Sequence, residues 1–223
     1  MRRAAATVHR AFDVVVATFA LTLTAPLAVL IAAAIRADSP GPVIFRARRV
    51  GVNGREFVMF KFRTMCADRE PAGPGITASD DPRVTRVGRW LRPSKLDEWP
   101  QLVNVIAGEM SLVGPRPEDP RYVASYSDQQ RQVLRVRPGV TSVASLAFRD
   151  EEALLVGPDS ERRYREEILP EKLAMEVGYL GRASWTGNLA VLWRTAVHCL
   201  TRCDTSGAGR GAGSRRGRRQ DRR

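Results

Sequence analysis

The sequence predicts an α+β protein that is mainly helical and associated with one face of a membrane, a monotopic membrane protein. Three observations support this fold class. Residues 14–35 carry no charge, an Asn-Gly pair separates two β-rich segments, and four later segments have helical periodicity. The 223 residues are 43% hydrophobic, which suffices for one modest core. We therefore predict a membrane-embedded segment (1–36), a folded domain facing the cytoplasm (37–203) and a disordered Arg/Gly-rich tail (204–223).

The uncharged segment is long enough to enter a membrane. A helix of 22 residues rises about 33 Å, and a hydrocarbon core is about 30 Å thick. Pro26 removes a helical N–H near the middle, where Thr22 and Thr24 could take up freed backbone groups. Arginines flank both ends, so the positive-inside rule favours the cytoplasm for both: Arg2, Arg3 and Arg10 before the run, Arg36, Arg46, Arg48 and Arg49 after it. We predict a re-entrant helix hairpin that enters and leaves by the same face.

Three other interpretations of this run remain as alternatives. A straight transmembrane span is the first, because the length fits. A cleaved signal peptide is the second, and the alanines at 32–34 resemble a cleavage site. Its apolar region would usually be about 7–15 residues, however, and basic residues directly after it would hinder export. A buried core helix is the third, although the run shows no polar face.

The remaining elements follow from local patterns. Residues 43–50 and 55–64 read as two strands joined by Asn53-Gly54, a strong hairpin signal, and Lys61 and Arg63 should emerge from this ribbon. Helices are expected at residues 99–107, 128–136, 162–180 and 185–202. The last carries an apolar stripe that includes two tryptophans. The stripe fits core packing or an amphipathic helix lying in the membrane interface.

Charge and composition exclude several function classes. The net charge is +12, but residues 202–223 contribute +6 of it, so half of the excess lies in the tail. We expect no nucleic-acid partner; the tail is either solvated or attracted to anionic lipids. The chain has two histidines and three cysteines without a CxxC spacing, which disfavours a zinc site and a disulfide framework. No phosphate-binding glycine loop is present.

Two adjacent carboxylates, Asp97 and Glu98, lie in a segment crowded with Arg83, Arg86, Arg89, Arg92 and Lys95. Pro100 is tolerated in the first turn of a helix, so we expect Asp97 at the N-cap with Pro100 at the third helical position. The helix dipole would then favour an ionised Asp97 and attract phosphate. Glu98 would point about 100° away and could hold Mg²⁺ or act as a base. Taken alone, the pair also fits a simple helix cap.

Five stretches carry a resemblance to a known family. They are residues 41–45 (GPVIF), 61–65 (KFRTM), 91–104, 108–117 and 137–139 (RPG), in the family's order. The chain resembles bacterial sugar transferases of the monotopic phosphoglycosyl transferase family, which start exopolysaccharide and other surface-glycan assembly on a polyprenyl phosphate. The resemblance implies an enzyme at the cytoplasmic face of the bacterial plasma membrane. A re-entrant hairpin is a feature of the family as well.

The resemblance also implies a reaction and its residues. Asp97 would attack the β-phosphate of a UDP-sugar and release UMP, and polyprenyl (undecaprenyl) phosphate would then accept the sugar phosphate. Glu98 is implied as the second catalytic residue and as the ligand of Mg²⁺. The implied substrate-binding residues are Lys61, Arg63, Arg92, Pro115, Arg116, Pro117 and Arg137. A catalytically silent, basic membrane scaffold is the rival hypothesis, and a soluble nucleic-acid binder is a third.

The chain departs from the family pattern at three places. Residues 141–145 read TSVAS where the family usually has TGWAQ, which indicates a different sugar pocket. Asn188 stands where the family often has Asp, so a negative charge is missing there. Ala25 precedes Pro26 where Ser-Pro is frequent, which leaves the nearby threonines as backbone partners.

Overall fold

The computed structural model describes residues 2–66, 81–155, 157 and 159–208, and it confirms a mainly helical α+β fold. Within these residues the helices are α1 (Arg2–Asp38), α2 (Arg86–Leu91), α3 (Gln101–Ala107), α4 (Pro120–Val123), α5 (Val143–Ala147), α6 (Glu151–Leu154), α7 (Ser160–Arg163), α8 (Leu169–Leu180) and α9 (Trp185–Ala208). The strands are β1 (Ile44–Val50), β2 (Glu56–Phe62), β3 (Ser111–Val113) and β4 (Gly139–Thr141). Short 3₁₀ turns occur at Val52–Gly54, Leu96–Glu98 and Gln130–Arg135.

Helix α1 is continuous over 37 residues, with Pro26 inside it. The break that a hairpin of two helices would need at Pro26 is therefore not observed. The threonine hydroxyls also act differently from the expectation. Thr22 donates to the Thr18 carbonyl (2.9 Å) and Thr24 to the Ala20 carbonyl (2.6 Å). Because Pro26 has no N–H, the carbonyl it leaves unpaired is that of Thr22. The threonines therefore add bonds to the preceding turn and do not repair the gap.

The two ends of the apolar run contact the same body, whereas the middle is exposed. Ala17 packs with Met59 and Val105 in one hydrophobic cluster, and Ile31 and Ile35 belong to a second cluster. The large apolar side chains between these anchors face away from the protein: Phe19, Leu23, Leu27, Val29 and Leu30. The helix is long and apolar enough to cross a membrane. Its exposure rules out the core-helix interpretation, because a core helix buries its apolar side chains.

The hairpin forms as predicted, with Ile44 opposite Phe62 and Val50 opposite Glu56. Asn53 and Gly54 both have positive φ (58° and 75°), the conformation that a tight Asn-Gly turn requires. Asn104 of α3 completes the outer edge of β2. Its side chain is fully buried; Oδ1 accepts from the Phe60 amide (3.1 Å) and Nδ2 donates to the Val58 carbonyl (2.7 Å). This amide fixes α3 against the hairpin.

Strands β3 and β4 form a short parallel pair, with Ser111 opposite Gly139 and Val113 opposite Thr141. The chains approach so closely here that a Cβ on Gly139 would lie 2.1 Å from the Gly114 nitrogen. Only glycine fits such a contact. The Gly139 amide also donates to the Pro115 carbonyl (2.9 Å). The pairing of β3 with β4 therefore fixes the backbone position of Pro115, the first residue of the segment 115–117.

Helix α9 buries Val191 but exposes much of the predicted apolar stripe. Trp193 is 71% exposed, and Leu189 and Val197 are also exposed, so plain core packing does not describe this stripe. Trp185 packs edge-on against Phe12 of α1, with ring centroids 4.8 Å apart. The helix continues to Ala208, so residues 204–208 are helical and the prediction of disorder was wrong for them. The rest of the predicted tail, 209–223, lies outside the described residues.

Candidate active site

The carboxylate pair lies in a tight 3₁₀ turn, and Asp97 does not cap α3. Lys95 has a positive φ of 57°, and the Glu98 amide donates to the Lys95 carbonyl (3.1 Å). Because residues 96–98 form this 3₁₀ turn, the α-helix does not start at Asp97. Helix α3 begins at Gln101, with Pro100 at its N-cap. The expected N-cap role of Asp97 was therefore wrong. The dipole of α3 therefore does not act on Asp97 in the way that an N-cap position would allow.

Glu98 is buried and held by two cations. Its Oε1 accepts from Lys61 Nζ (2.9 Å) and from Arg116 Nη2 (2.7 Å), while Oε2 accepts from Arg116 Nη1 (3.3 Å). Burial acts to raise the pKa of Glu98, but the positive charges of Arg116 and Lys61 outweigh it. The pKa of Glu98 therefore lies well below its ordinary value. This carboxylate stays ionised at physiological pH.

Asp97 is in the opposite situation. It is 8% exposed, and its Oδ1 is buried without a hydrogen-bond partner in the described part of the chain. Burial and the neighbouring charge of Glu98 raise the pKa of Asp97 to about 6, although Lys61, Lys95 and Arg92 oppose this shift. An unpaired buried oxygen is costly and is common at functional sites. Two adjacent carboxylates thus have separate chemical properties.

The structure brings Lys61, Arg92 and Arg116 to this pair. Lys61 emerges from β2 as predicted, and Arg116 lies between the buried Pro115 and Pro117. Arg92 Nη2 donates to Glu152 Oε1 (2.6 Å), while its Nε is buried and has no partner within the described residues. The positive charge of Arg92 also acts on Asp97. Fixed cations around a carboxylate pair suit the binding of phosphate groups.

Arg63 and Arg137 occupy other places. The Arg63 guanidinium is buried and donates to the carbonyls of Pro40 and Ser39, the latter at 2.7 Å, where α1 ends. It therefore caps the end of α1, and the implied contact of Arg63 with substrate stays a prediction. Arg137 Nε donates to the Gly108 carbonyl (2.9 Å) just past the end of α3. Neither guanidinium makes a hydrogen bond to Asp97 or Glu98.

One contact of the site was missed in the sequence. Glu152 pairs with Arg92 from 60 positions further along the chain, in α6. No recognised motif covers this region. Its signal is the acidic run at residues 150–152, which is unusual in a chain with a net charge of +12.

Mg²⁺ requires oxygen ligands, which the carboxylates of Asp97 and Glu98 could supply. Among the described residues, no group of three or more His, Cys, Asp or Glu side chains could hold a metal ion. Mg²⁺ often binds through one or two carboxylates together with substrate phosphates and water, so a pair can suffice. Within the described residues, Asp97 Oδ1 has no hydrogen-bond partner, and Glu98 Oε2 has one long contact at 3.3 Å. The Glu98 carboxylate therefore fits Mg²⁺ if a bound phosphate group and water complete the coordination.

A long exposed apolar helix and a buried carboxylate pair among fixed cations are consistent with a membrane-associated protein that binds phosphate groups. The family comparison agrees with this class. The chain belongs to the bacterial sugar transferase family, whose model matches residues 4–202.

Three relatives show the range of the similarity. The chain is 38% identical over 196 residues to UDP-glucose:undecaprenyl-phosphate glucose-1-phosphate transferase of Caulobacter vibrioides, covering 86% of this chain and 69% of the relative. It is 46% identical over 144 residues to undecaprenyl-phosphate glucose phosphotransferase of Komagataeibacter xylinus, covering 61% and 27%. It is 35% identical over 200 residues to exopolysaccharide production protein PSS of Rhizobium leguminosarum bv. phaseoli, covering 86% and 95%. The aligned region is thus about a quarter of the Komagataeibacter relative and nearly all of the Rhizobium one.

Proposed function

We propose that this chain transfers a sugar 1-phosphate from a UDP-sugar to polyprenyl phosphate, at the cytoplasmic face of the bacterial plasma membrane, to begin surface-glycan synthesis. The observation that carries the proposal is the buried Asp97 Oδ1, which has no partner among the described residues, beside a Glu98 held by Lys61 and Arg116. Two of the relatives described above are named for glucose phosphate transfer to undecaprenyl phosphate, and a third is named for exopolysaccharide production.

Asp97 acts as the nucleophile in the first step. Its Oδ1 forms a bond to the β-phosphorus of the UDP-sugar, and the bond from that phosphorus to the bridging oxygen breaks. UMP leaves with the electron pair, and the sugar phosphate stays on Asp97. In the second step an oxygen of polyprenyl phosphate attacks the same phosphorus and releases the Asp97 carboxylate. A pKa of about 6 leaves Asp97 mainly ionised at neutral pH, as a nucleophile must be.

The surrounding residues bind and orient the phosphates. Arg92 and Arg116 offer guanidinium groups, which match phosphate oxygens in pairs. Lys61 and Arg116 fix Glu98 in one orientation, with Oε2 the less occupied oxygen. Glu98 is the residue that would hold Mg²⁺, and this ion would supply charge neutralisation of the diphosphate when bound. The fixed cations let an anionic nucleophile approach an anionic substrate.

The nucleophile is tested by measuring intact protein mass after incubation with UDP-sugars and Mg²⁺ but no polyprenyl phosphate. The wild-type chain should gain one sugar phosphate and release one UMP, and Asp97→Asn should gain nothing. Asp128→Asn, at an exposed position, is the matched control and should behave as wild type. An adduct on Asp97→Asn would contradict the assigned nucleophile. No adduct and no UMP from any UDP-sugar would favour the silent membrane scaffold.

We also propose that α1 enters and leaves the membrane by one face. Arg10 donates to the carbonyls of Val105 (2.6 Å) and Ile106 (3.0 Å), so the first part of α1 is fixed to α3. The end of α1 is fixed to Arg63, just past β2. Both anchors belong to one body, and the apolar side chains between them are exposed. A helix with both ends on the same body suits re-entrant insertion, and the exposed Trp193 of α9 suits the interface.

This topology is tested with single cysteines at Val8 and Arg46, both exposed, in a chain whose three native cysteines are replaced. An impermeant thiol reagent added to intact spheroplasts should label neither position, and lysis should expose both. Gln129→Cys, an exposed position in the body, is the control for the cytoplasmic side. Labelling of one of the two positions from outside would show a straight crossing.

A further inference from the structure

The pair formed by Arg92 and Glu152 crosses between distant parts of the chain. Arg92 directly follows α2, and Glu152 lies in α6. Nη2 of Arg92 lies 2.6 Å from Glu152 Oε1, and Nη1 lies 3.5 Å from Thr64 Oγ1. The third nitrogen, Nε, is buried and has no partner among the described residues. The guanidinium is therefore fixed at its far end, with an inner N–H unused.

Stability alone does not account for this arrangement. The Glu152 side chain is 40% exposed, and ion pairs with such exposure contribute little to folding. A buried N–H without an acceptor is itself unfavourable. The exposed ion pair with Glu152 and the unused Nε–H are both explained if an anionic ligand accepts a hydrogen bond from Nε. Arg92 also lies next to the proposed reaction centre along the backbone: the Lys95 amide donates to the Arg92 carbonyl (3.1 Å), and the Glu98 amide donates to the Lys95 carbonyl (3.1 Å).

Helix α6 is held firmly enough to serve as a support. Glu151, next to Glu152, accepts from Lys172 Nζ of α8 (2.8 Å), and the Lys172 side chain is almost completely buried. Lys172 also lies 5.2 Å from the centre of the Tyr164 ring. Two neighbouring glutamates thus join α6 to α8 and to Arg92. A short helix fixed in this way can hold a long side chain in one orientation.

We infer that Glu152 is a positioning residue for substrate binding: it holds the Arg92 guanidinium so that its unpaired Nε–H faces the diphosphate of the nucleotide substrate. The inference rests on the proposed function, because it assumes that a phosphate binds at Arg92. Glu152 itself does not touch the reacting atoms. Its removal weakens substrate binding without changing the chemical step, because Asp97, Glu98, Lys61 and Arg116 are unaltered.

The test measures the Kd of UDP with Mg²⁺ by calorimetry on the full chain in nanodiscs, and KM and kcat for a UDP-sugar that the wild type converts. Glu152→Ala should raise both Kd and KM about tenfold, with kcat within about twofold of the wild type. Glu152→Gln keeps an oxygen within reach of Arg92 and should weaken binding less. Glu152→Asp keeps the charge but is too short, so it should resemble Glu152→Ala and can replace it if that variant fails to fold.

A double-variant cycle shows whether Glu152 acts through Arg92. Arg92→Ala should weaken UDP binding, and adding Glu152→Ala should cause no further loss. Glu161→Ala, which breaks an exposed pair with Arg165, is the matched control and should leave Kd unchanged. Unchanged or tighter UDP binding in Glu152→Ala, or additive losses in the double variant, would overturn the inference. Absence of UMP release by the wild type with every UDP-sugar would instead overturn the proposed function.

Discussion

At the scale of single residues, charge partners decide what each carboxylate can do. Glu98 has two cations within hydrogen-bonding distance, so its charge is neutralised locally. Asp97 is adjacent in sequence and equally buried, but its Oδ1 is without a partner in the described residues. The same burial therefore produces one permanently ionised group and one with a pKa near 6. The burial of an ionisable Asp97 comes at the expense of stability.

We predict that Asp97→Asn inactivates the protein but stabilises its fold. The pKa of Asp97 is about 6 in the folded chain against 3.8 as its ordinary value, so the folded state favours the protonated form. Ionisation then lowers the free energy of unfolding as pH rises from about 4 to above 6, by up to about 3 kcal/mol. Asparagine carries no charge and avoids this loss. Thermal unfolding at about pH 8 should show a higher melting temperature for the variant.

The pH dependence provides the control for this prediction. The difference in melting temperature between Asp97→Asn and the wild type should shrink as the pH falls through about 4 and below, where Asp97 becomes protonated in the unfolded chain as well as in the folded one. Asp128→Asn should show no such trend, because Asp128 is exposed. A variant less stable than the wild type at about pH 8 would show that the charge of Asp97 is compensated in the folded protein.

Much of the candidate site could be predicted from sequence, because short motifs place its residues close together along the chain. Lys61, Arg92 and Arg116 were expected near the carboxylate pair, and the structure brings them there. Arg63 was expected on the same side as Lys61, but strand β2 ends at Phe62. The alternation of a strand does not extend past its end, so Arg63 turns towards the end of α1. Glu152 could not be predicted, because its contact depends on tertiary packing.

At the scale of elements, the body relies on short segments joined by close backbone contacts. Strands β3 and β4 have three residues each, yet they fix the backbone position of the segment 115–117 at its first residue. The start of α3 shows the limit of sequence patterns at this scale. The Asp-Glu-Trp-Pro order fits a helix N-terminus, but a left-handed Lys95 shifts the N-cap by three residues, from Asp97 to Pro100. Local propensity does not reveal such a turn.

We predict that Gly139→Ala and Gly178→Ala have opposite effects on stability. A Cβ at Gly139 would collide with the backbone of Gly114, so Gly139→Ala should destabilise by at least about 2 kcal/mol. Gly178 lies within α8, where a Cβ would meet nothing within 4 Å, so alanine there should be neutral or stabilise by up to about 1 kcal/mol. Melting temperatures measured in the same detergent test this. Equal effects would contradict the close contact between β3 and β4.

At the scale of the whole molecule, the parts of the sequence with extreme composition have separate places. The uncharged run forms most of α1, and the net charge of the last 22 residues is half that of the chain. The apolar run was evident from sequence, because its length and lack of charge do not depend on packing. The contacts that fix its two flanks were not, since the partners lie 95 and 24 positions away along the chain.

We predict that deleting residues 209–223 leaves catalysis intact. This segment carries a net charge of +6, and all proposed site residues lie before it. UMP release in detergent should have a kcat/KM within about threefold of that of the full chain, because the deletion removes no proposed site residue. Lipid attraction of about 1 kcal/mol per basic residue near the surface would act on vesicle binding instead. If the deletion of residues 209–223 abolishes binding to anionic vesicles, the tail binds anionic lipid. A complete loss of UMP release would favour a function carried by the tail.

Helix α1 contributes to the folded body as well as to the membrane-associated part. Ala17, Ile31 and Ile35 are nearly inaccessible because they pack into two separate hydrophobic clusters. Exchanging this helix for an unrelated membrane anchor would therefore leave cavities in the interior of the catalytic body. Protein engineers who seek a water-soluble version should replace only the exposed apolar side chains of α1 with polar residues and keep the three inward-facing ones. Evolution faces the same restriction, so anchor and enzyme in this chain must change together.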